Sequence, residues 1–176
     1  MQKAALLLLT LSISSVSWAQ QAVTEPEFSE VFFRLDNGRL SPLQRETAVL
    51  KAKVGGFIVV NAKTTDIIPG PRSPIRFTSG ASLEFVVRTA FPPTVDPAAI
   101  YVLRKLDARK KDREYLTTET HATPFHATST QVEGQIAVQF AKYGQASLKL
   151  TTPSLQPGEY AISRQYSQTV YCFGVD

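Results

Sequence analysis

Cysteine, tryptophan and histidine are nearly missing from this chain of 176 residues, and each shortage excludes something. With Cys172 as the single cysteine, no internal disulfide can form, and the fold must hold by packing alone. Cys172 sits in Val170-Tyr171-Cys172-Phe173, apolar on both faces, which favours a small buried hydrophobe over a reactive thiol or an intermolecular bridge. The one tryptophan, Trp18, falls near the N-terminus and leaves none for a downstream core. His121 and His126 are the only histidines, five apart around Pro124. Two imidazoles on one loop can begin a metal site, but a stable zinc site takes three or four protein ligands. The nearest carboxylates are Glu119 and Glu133, and the Thr-rich surroundings read as a solvent-facing loop.

Catalytic signatures are missing too. There is no Gly-x-Ser-x-Gly elbow and no cysteine beside a base. No Gly-rich phosphate loop opens a helix, because no helical periodicity is there to follow one. The isolated Asp and Glu residues sit at turns and on polar faces rather than as the paired carboxylates of a glycosidase. The sequence offers no cofactor motif and no catalytic residue.

Long apolar runs are short of membrane length. Met1-Gln2-Lys3 is followed by Ala4 to Ile13, almost unbroken in apolar residues, and then by the small and polar Ser14 to Ala19. Positive, greasy, then small is the layout of a secretory signal. The apolar core falls below the ~20 residues of a transmembrane helix, and no basic flank follows it. With no cysteine at the cleavage point, lipid attachment there is ruled out. The expectation is a signal peptide over residues 1–19 and a single exported domain over 20–176, periplasmic or secreted, with no transmembrane segment downstream. Loss of Lys3 lowers the formal charge from +4 to +3, a mild basic balance.

What the chain has in quantity is strand signal. Val31 to Leu35 runs into Asp36-Asn37-Gly38, a turn whose Asn and Gly accept positive φ. Ala48, Leu50, Ala52 and Val54 alternate with Val49, Lys51 and Lys53, the pattern of a half-buried strand. Phe57 to Val60 reads as a more fully buried one. Ile67 to Pro74, with three prolines, reads as irregular. Leu83, Phe85 and Val87 share a face, and Phe91 to Pro97 is a second stiff loop. Ile100 to Leu106 and Arg113 to Thr118 read as a hairpin around a charged tip. Ile136, Val138 and Phe140, then Leu148 and Leu150, then Tyr160 and Ile162, each alternate with polar residues, and Val170 to Val175 closes the series. About ten short strands without helix predict an all-β sandwich or a small β-barrel.

Leu155-Gln156-Pro157-Gly158-Glu159-Tyr160 resembles the tyrosine corner of immunoglobulin-like sandwiches, in which the phenol bonds back to the preceding loop. It favours the sandwich and gives Tyr160 a structural role. Several phrases together resemble a family of exported bacterial proteins of unknown function. They are Val31-Phe32-Phe33 with Leu35-Asp36, Pro69-Gly70 with Ser73-Pro74-Ile75-Arg76, and Glu84 to Arg88 with Asp96-Pro97. Lys142-Tyr143-Gly144, Leu155 to Ala161 and Cys172 to Asp176 complete the set. This resemblance implies one exported domain and brings no activity and no catalytic residue.

The strongest charge feature is the segment Arg104 to Glu114, in which Arg104, Lys105, Arg109, Lys110, Lys111 and Arg113 gather with Asp107, Asp112 and Glu114. Such a cluster is either a solvated hairpin tip that guards strand edges or a contact for an anionic partner. The export reading disfavours nucleic acid and points to an envelope component or another protein. The functional expectation is an exported, non-enzymatic binding or structural module. Its alternative is a hydrolase or metal-dependent enzyme using His121 and His126. Intact-mass analysis of secreted protein should give a chain beginning at Gln20, whereas retention of Met1 to Ala19 would overturn the export reading.

Overall fold

The computed structural model describes residues 23–56, 60–131 and 134–176. Residues 1–19, read as a signal peptide, and Phe57 to Val59 of the expected buried strand lie outside the described residues. Strand β1 (Phe32–Asp36) turns through Asn37 and Gly38, both at positive φ, into β2 (Arg39–Pro42). With β7 (Glu84–Arg88), β13 (Ser147–Thr151) and β12 (Gln139–Tyr143) they form an antiparallel sheet in the order β12-β13-β7-β1-β2. The second sheet takes β3 (Gln44–Thr47), β15 (Thr169–Val175), β14 (Gly158–Arg164) and β8 (Tyr101–Ala108). It continues through β9 (Asp112–Thr123) and β5 (Val60–Pro69) to β4 (Val49–Gly55). Three short strands join it from the side: β6 (Arg76–Phe77) on β15, β10 (His126–Gln131) on β9 and β11 (Gln135–Ile136) on β8.

The orders β1-β7-β13-β12 and β15-β14-β8 follow the two sheets of an immunoglobulin-type sandwich. Phe32, Phe85, Val87 and Leu150 from the first sheet meet Tyr101, Leu103, Ile162, Tyr171 and Phe173 from the second. Aromatic edges and faces interlock there: Phe32 meets Tyr101 edge-on at 5.5 Å between ring centroids, and Tyr160 stacks on Phe173 at 5.6 Å.

The second sheet departs from a plain sandwich. Its two end strands, β3 and β4, are consecutive in the chain with only Ala48 between them, so the sheet curls back upon itself as a half-barrel. Ala48, Ile68, Leu106, Tyr115, Ala161, Val170 and Cys172 fill the inside of that curl as a second core. Strands β14 and β15 are therefore buried on both faces, with Tyr160, Ile162, Tyr171 and Phe173 on one and Ala161, Val170 and Cys172 on the other. The smaller apolar residues fall on the curl side.

Three expectations about local structure change. Ile67, Ile68 and Pro69 belong to β5, and the irregular stretch begins only at Gly70, whose φ is +85°. The pattern at Ile136, Val138 and Phe140 is not one strand, because β11 pairs with β8 in one sheet and β12 with β13 in the other. Strand β4 alternates as expected yet is exposed at every residue, because beyond the curl no layer covers it.

At the far end, Glu25 fastens the N-terminal segment to the β12–β13 turn. Its carboxylate accepts from the backbone N–H groups of Gln145 (2.6 Å) and Ala146 (3.0 Å) and from the Ser147 hydroxyl (2.6 Å). Those donors, Ser147 first, hold the Glu25 carboxyl below its ordinary value. Gly144 sits at φ +68° with the Glu25 carboxylate where a Cβ would be, which accounts for glycine in Lys142-Tyr143-Gly144.

The Tyr160 hydroxyl donates to the Gln156 carbonyl at 2.6 Å, four residues upstream, with the geometry of a tyrosine corner. Tyr160→Phe removes the donor and is expected to lower unfolding free energy by roughly 1–2 kcal/mol. A denaturant midpoint equal to wild type would show that the corner contributes nothing.

Candidate functional site

The polar chemistry of the molecule gathers on the two faces of the curled sheet. Inside the curl, Arg113 is only 1% exposed and takes no part in the surface. Its Nε donates to the Gly70 carbonyl at 2.9 Å, and its Nη2 to Glu46 Oε2 at 2.6 Å and the Pro69 carbonyl at 3.0 Å. Glu159 Oε2 lies 3.8 Å from Arg113 Nη1 and accepts the Ser73 N–H at 2.8 Å. The other Glu159 oxygen accepts from Arg76, which turns its remaining donors on Asp176. Arg72 joins the same Asp176 carboxylate at 2.9 Å. Asp176 first, then Glu159, hold Arg76 still more firmly protonated than usual. The guanidinium of Arg76 also lies where a Cβ on residue 174 would sit, so a side chain at Gly174 would displace Arg76 from its place.

The phrases Pro69-Gly70, Ser73 to Arg76, Leu155 to Ala161 and Cys172 to Asp176 thus meet around one ion network, buried at Arg113 and Glu159 and exposed at Arg72 and Asp176. The network is structural in geometry. Each charged group faces another charge or a backbone atom, Arg113 Nη1 and Glu46 Oε1 alone among the network's buried atoms making no hydrogen bond with the described residues, and Arg113 lines none of the cavities described below. Cys172 lies beside it, fully buried, its thiol pushed up first by burial and then by Glu46. A thiol held protonated in this way is not a nucleophile.

The six cations expected to form one anionic-partner contact are divided by the sheet. Arg113 is corrected to the interior, because strand alternation turns it into the curl. Arg104 also points to the concave side, where its guanidinium lies 5.1 Å over the Tyr115 ring and desolvation lowers its pKa. Lys105, Arg109, Lys110 and Lys111 remain exposed. Arg109 pairs with Glu114. Two lysines that sequence spacing did not suggest stand beside them. Lys51 and Lys53 of β4 line the same small cavity of about 120 Å³ as Arg109, Asp112 and Glu114. Both come from the strand face opposite Leu50, Ala52 and Val54. The signal was present in the alternation at residues 48–54, but only the pairing of β4 with β5, and of β5 with β9, brings it to the β8–β9 turn.

His121 and His126 lie on the exposed β9–β10 hairpin. His121 Nδ1 bonds to Asn61 and His126 Nε2 to the Thr128 hydroxyl at 3.0 Å. No group of three metal-ligating side chains occurs among the described residues. Nor is any helix among them long and apolar enough to cross a membrane.

The concave face opens at the mouth of the curl into a cavity of about 420 Å³. Asp66, Arg104, Gln135, Gln165, Tyr166 and Gln168 supply its polar lining, with Leu50, Thr64, Thr118 and Ser167 between them. Asp66 is 8% exposed, and one of its carboxylate oxygens has no hydrogen-bond partner. Burial pushes the Tyr115 hydroxyl up, and the neighbouring Asp66 carboxylate adds to the shift. These residues are scattered over 119 positions of sequence, Leu50 to Gln168, and sequence reasoning missed them as a group.

No family model matches the chain, and neither a curated protein nor a solved structure shows significant similarity to it.

Arg113→Met is expected to destabilise the domain by about 3–5 kcal/mol, because Glu46 would stay buried without its cation and Glu159 would keep only Arg76. In the wild type, Cys172 should resist alkylation until the chain unfolds. Rapid labelling of native protein, or a midpoint unaffected by the substitution, would contradict the packing described.

Proposed function

We propose that this protein is an exported, non-enzymatic binding module that contacts an anionic envelope or extracellular component through the convex face of its curled sheet. The observation that carries this reading is the convergence of Lys51 and Lys53 with Arg109 at one cavity, next to exposed Lys110 and Lys111. Cations from a strand and a turn some sixty residues apart outnumber Asp112 and Glu114 there, and the net positive surface attracts a polyanion and concentrates it locally. Glu114 satisfies Arg109, and Glu119 satisfies Lys63 at 2.5 Å. The four lysines carry no ion pair among the described residues.

A contact of this kind is mainly electrostatic. Its ions are exposed, so each contributes little to folding, and the interaction is screened over about 8 Å at physiological ionic strength. The leader-like N-terminus supports an exported setting, where lipid headgroups and cell-wall polymers are the abundant anions. The resemblance to exported bacterial proteins is compatible with that address.

Replacing Arg109, Lys110 and Lys111 with Ser, alone and together with Lys51→Ser and Lys53→Ser, gives the test. Both variants should melt within a few degrees of wild type. Retention on vesicles containing phosphatidylglycerol should fall for the triple variant and fall further for the quintuple, and wild-type retention should drop steeply with salt. Equal retention of all three proteins would remove this face as a binding site.

A further inference from the structure

The concave face differs from the convex face in charge, and the difference identifies a second site that does not rest on the basic one. Register pairs Ala52 with Thr64 and Thr64 with Thr118, then Val54 with Ala62 and Ala62 with Thr120, then Thr120 with Ser129. Those rows share one face and carry no charge. The neighbouring rows, Lys53 with Lys63 and Lys63 with Glu119, carry the charges on the other face. An uncharged, hydroxyl-bearing track therefore runs along the arm into the mouth cavity, with Thr120 and Ser129 hydroxyls 3.0 Å apart on it.

The cavity supplies what the track lacks. Arg104 has five N–H donors, and among the described residues its side-chain hydrogen bond is to the Ser163 hydroxyl alone, at 3.4 Å. Asp66 keeps a carboxylate oxygen unpartnered. Gln135, Gln165 and Gln168 each offer a donor and an acceptor. At the rim, Tyr166 is 83% exposed at φ +61°, a conformation that a bulky residue adopts only when its turn imposes it. That turn is fixed by Ser167 N–H to the Arg164 carbonyl at 3.1 Å and Thr169 N–H to the Ser167 hydroxyl at 3.1 Å. The turn places a largely exposed aromatic side chain at the mouth.

We infer that the mouth of the half-barrel binds a neutral saccharide, with Tyr166 as the stacking platform and Asp66, Arg104 and Gln168 as the hydroxyl-reading groups. A sugar ring presents an apolar C–H face to an aromatic and hydroxyls that both donate and accept. The lining matches that alternation. A simple anion would meet the Asp66 carboxylate, and a simple cation would meet Arg104, so neither is favoured. The volume of about 420 Å³ is within the range for small-ligand sites, and the hydroxyl track beyond it suits a chain longer than one ring.

Amide NMR of the purified protein, titrated separately with chitotriose, cellotriose and maltotriose, reads the site directly, and the zwitterion Gly-Gly serves as comparison. At least one trisaccharide should shift the amides of Leu50, Thr64, Thr118 and Ser167, with an affinity insensitive to salt. Tyr166→Ala and Gln168→Ala, both at exposed positions, should weaken that binding about tenfold or more while leaving the remaining spectrum in place. The Arg109, Lys110 and Lys111 triple variant should bind the sugar like wild type, which separates this site from the anionic one. The inference is overturned if no trisaccharide shifts these amides, if Gly-Gly alone does, or if both rim variants bind as tightly as wild type.

Discussion

Arg113 is the constraint on which the rest of the curled sheet depends. A guanidinium removed from water must find its partners at once, because an unpaired buried charge is far more costly than the pair is favourable. Here the partners are Glu46 from the strand that opens the curl, Glu159 from β14 and the carbonyls of Pro69 and Gly70 at the end of β5. Pairing one side chain, by three hydrogen bonds and the 3.8 Å ion contact with Glu159, therefore fixes three separate stretches of chain against each other. Glu159 then passes the constraint on to Arg76 and Asp176, which tie β6 alongside β15.

The same curl explains why β14 and β15 carry large side chains on one face and small ones on the other. Toward the first sheet the gap is filled by Tyr160, Ile162, Tyr171 and Phe173, and toward the curl by Ala161, Val170 and Cys172. Two cores share one pair of strands. A change of volume at Cys172 is accordingly felt by the ion network beside it as much as by its apolar neighbours.

Past the second core the sheet runs on as an arm with neither face covered by the described residues, and this is where binding chemistry has room. Its ladder separates charge from hydroxyl by simple alternation: lysines on the convex face, Thr, Ser and small apolar residues on the concave one. The arm ends at Phe125, 97% exposed in the tight turn between β9 and β10. Pairing of β5 with β9 over ten residue pairs, with a register shift between Thr64 and Thr65, presents those groups in rows.

Strand content, the Asn37-Gly38 turn, the tyrosine corner and the burial of Cys172 were legible in the sequence, because each depends on residues close together along the chain. Period-two alternation also gave the right faces to β4, with Lys51 and Lys53 opposite Leu50, Ala52 and Val54. Alternation cannot say whether a face is covered, and β4 is bare because its neighbours in space, not its own residues, end there. For the same reason Arg104 and Arg113, read as members of one exposed hairpin, turn to the inside of a curl that no local pattern announces. The mouth cavity is the extreme case. Asp66, Arg104, Gln135 and Tyr166 come from four separate stretches, and they meet only because β3 and β4 close the sheet upon itself. The sequence alone determined which residues alternate and turn; tertiary structure decided which faces meet water, since burial is a property of the packing between strands distant along the chain.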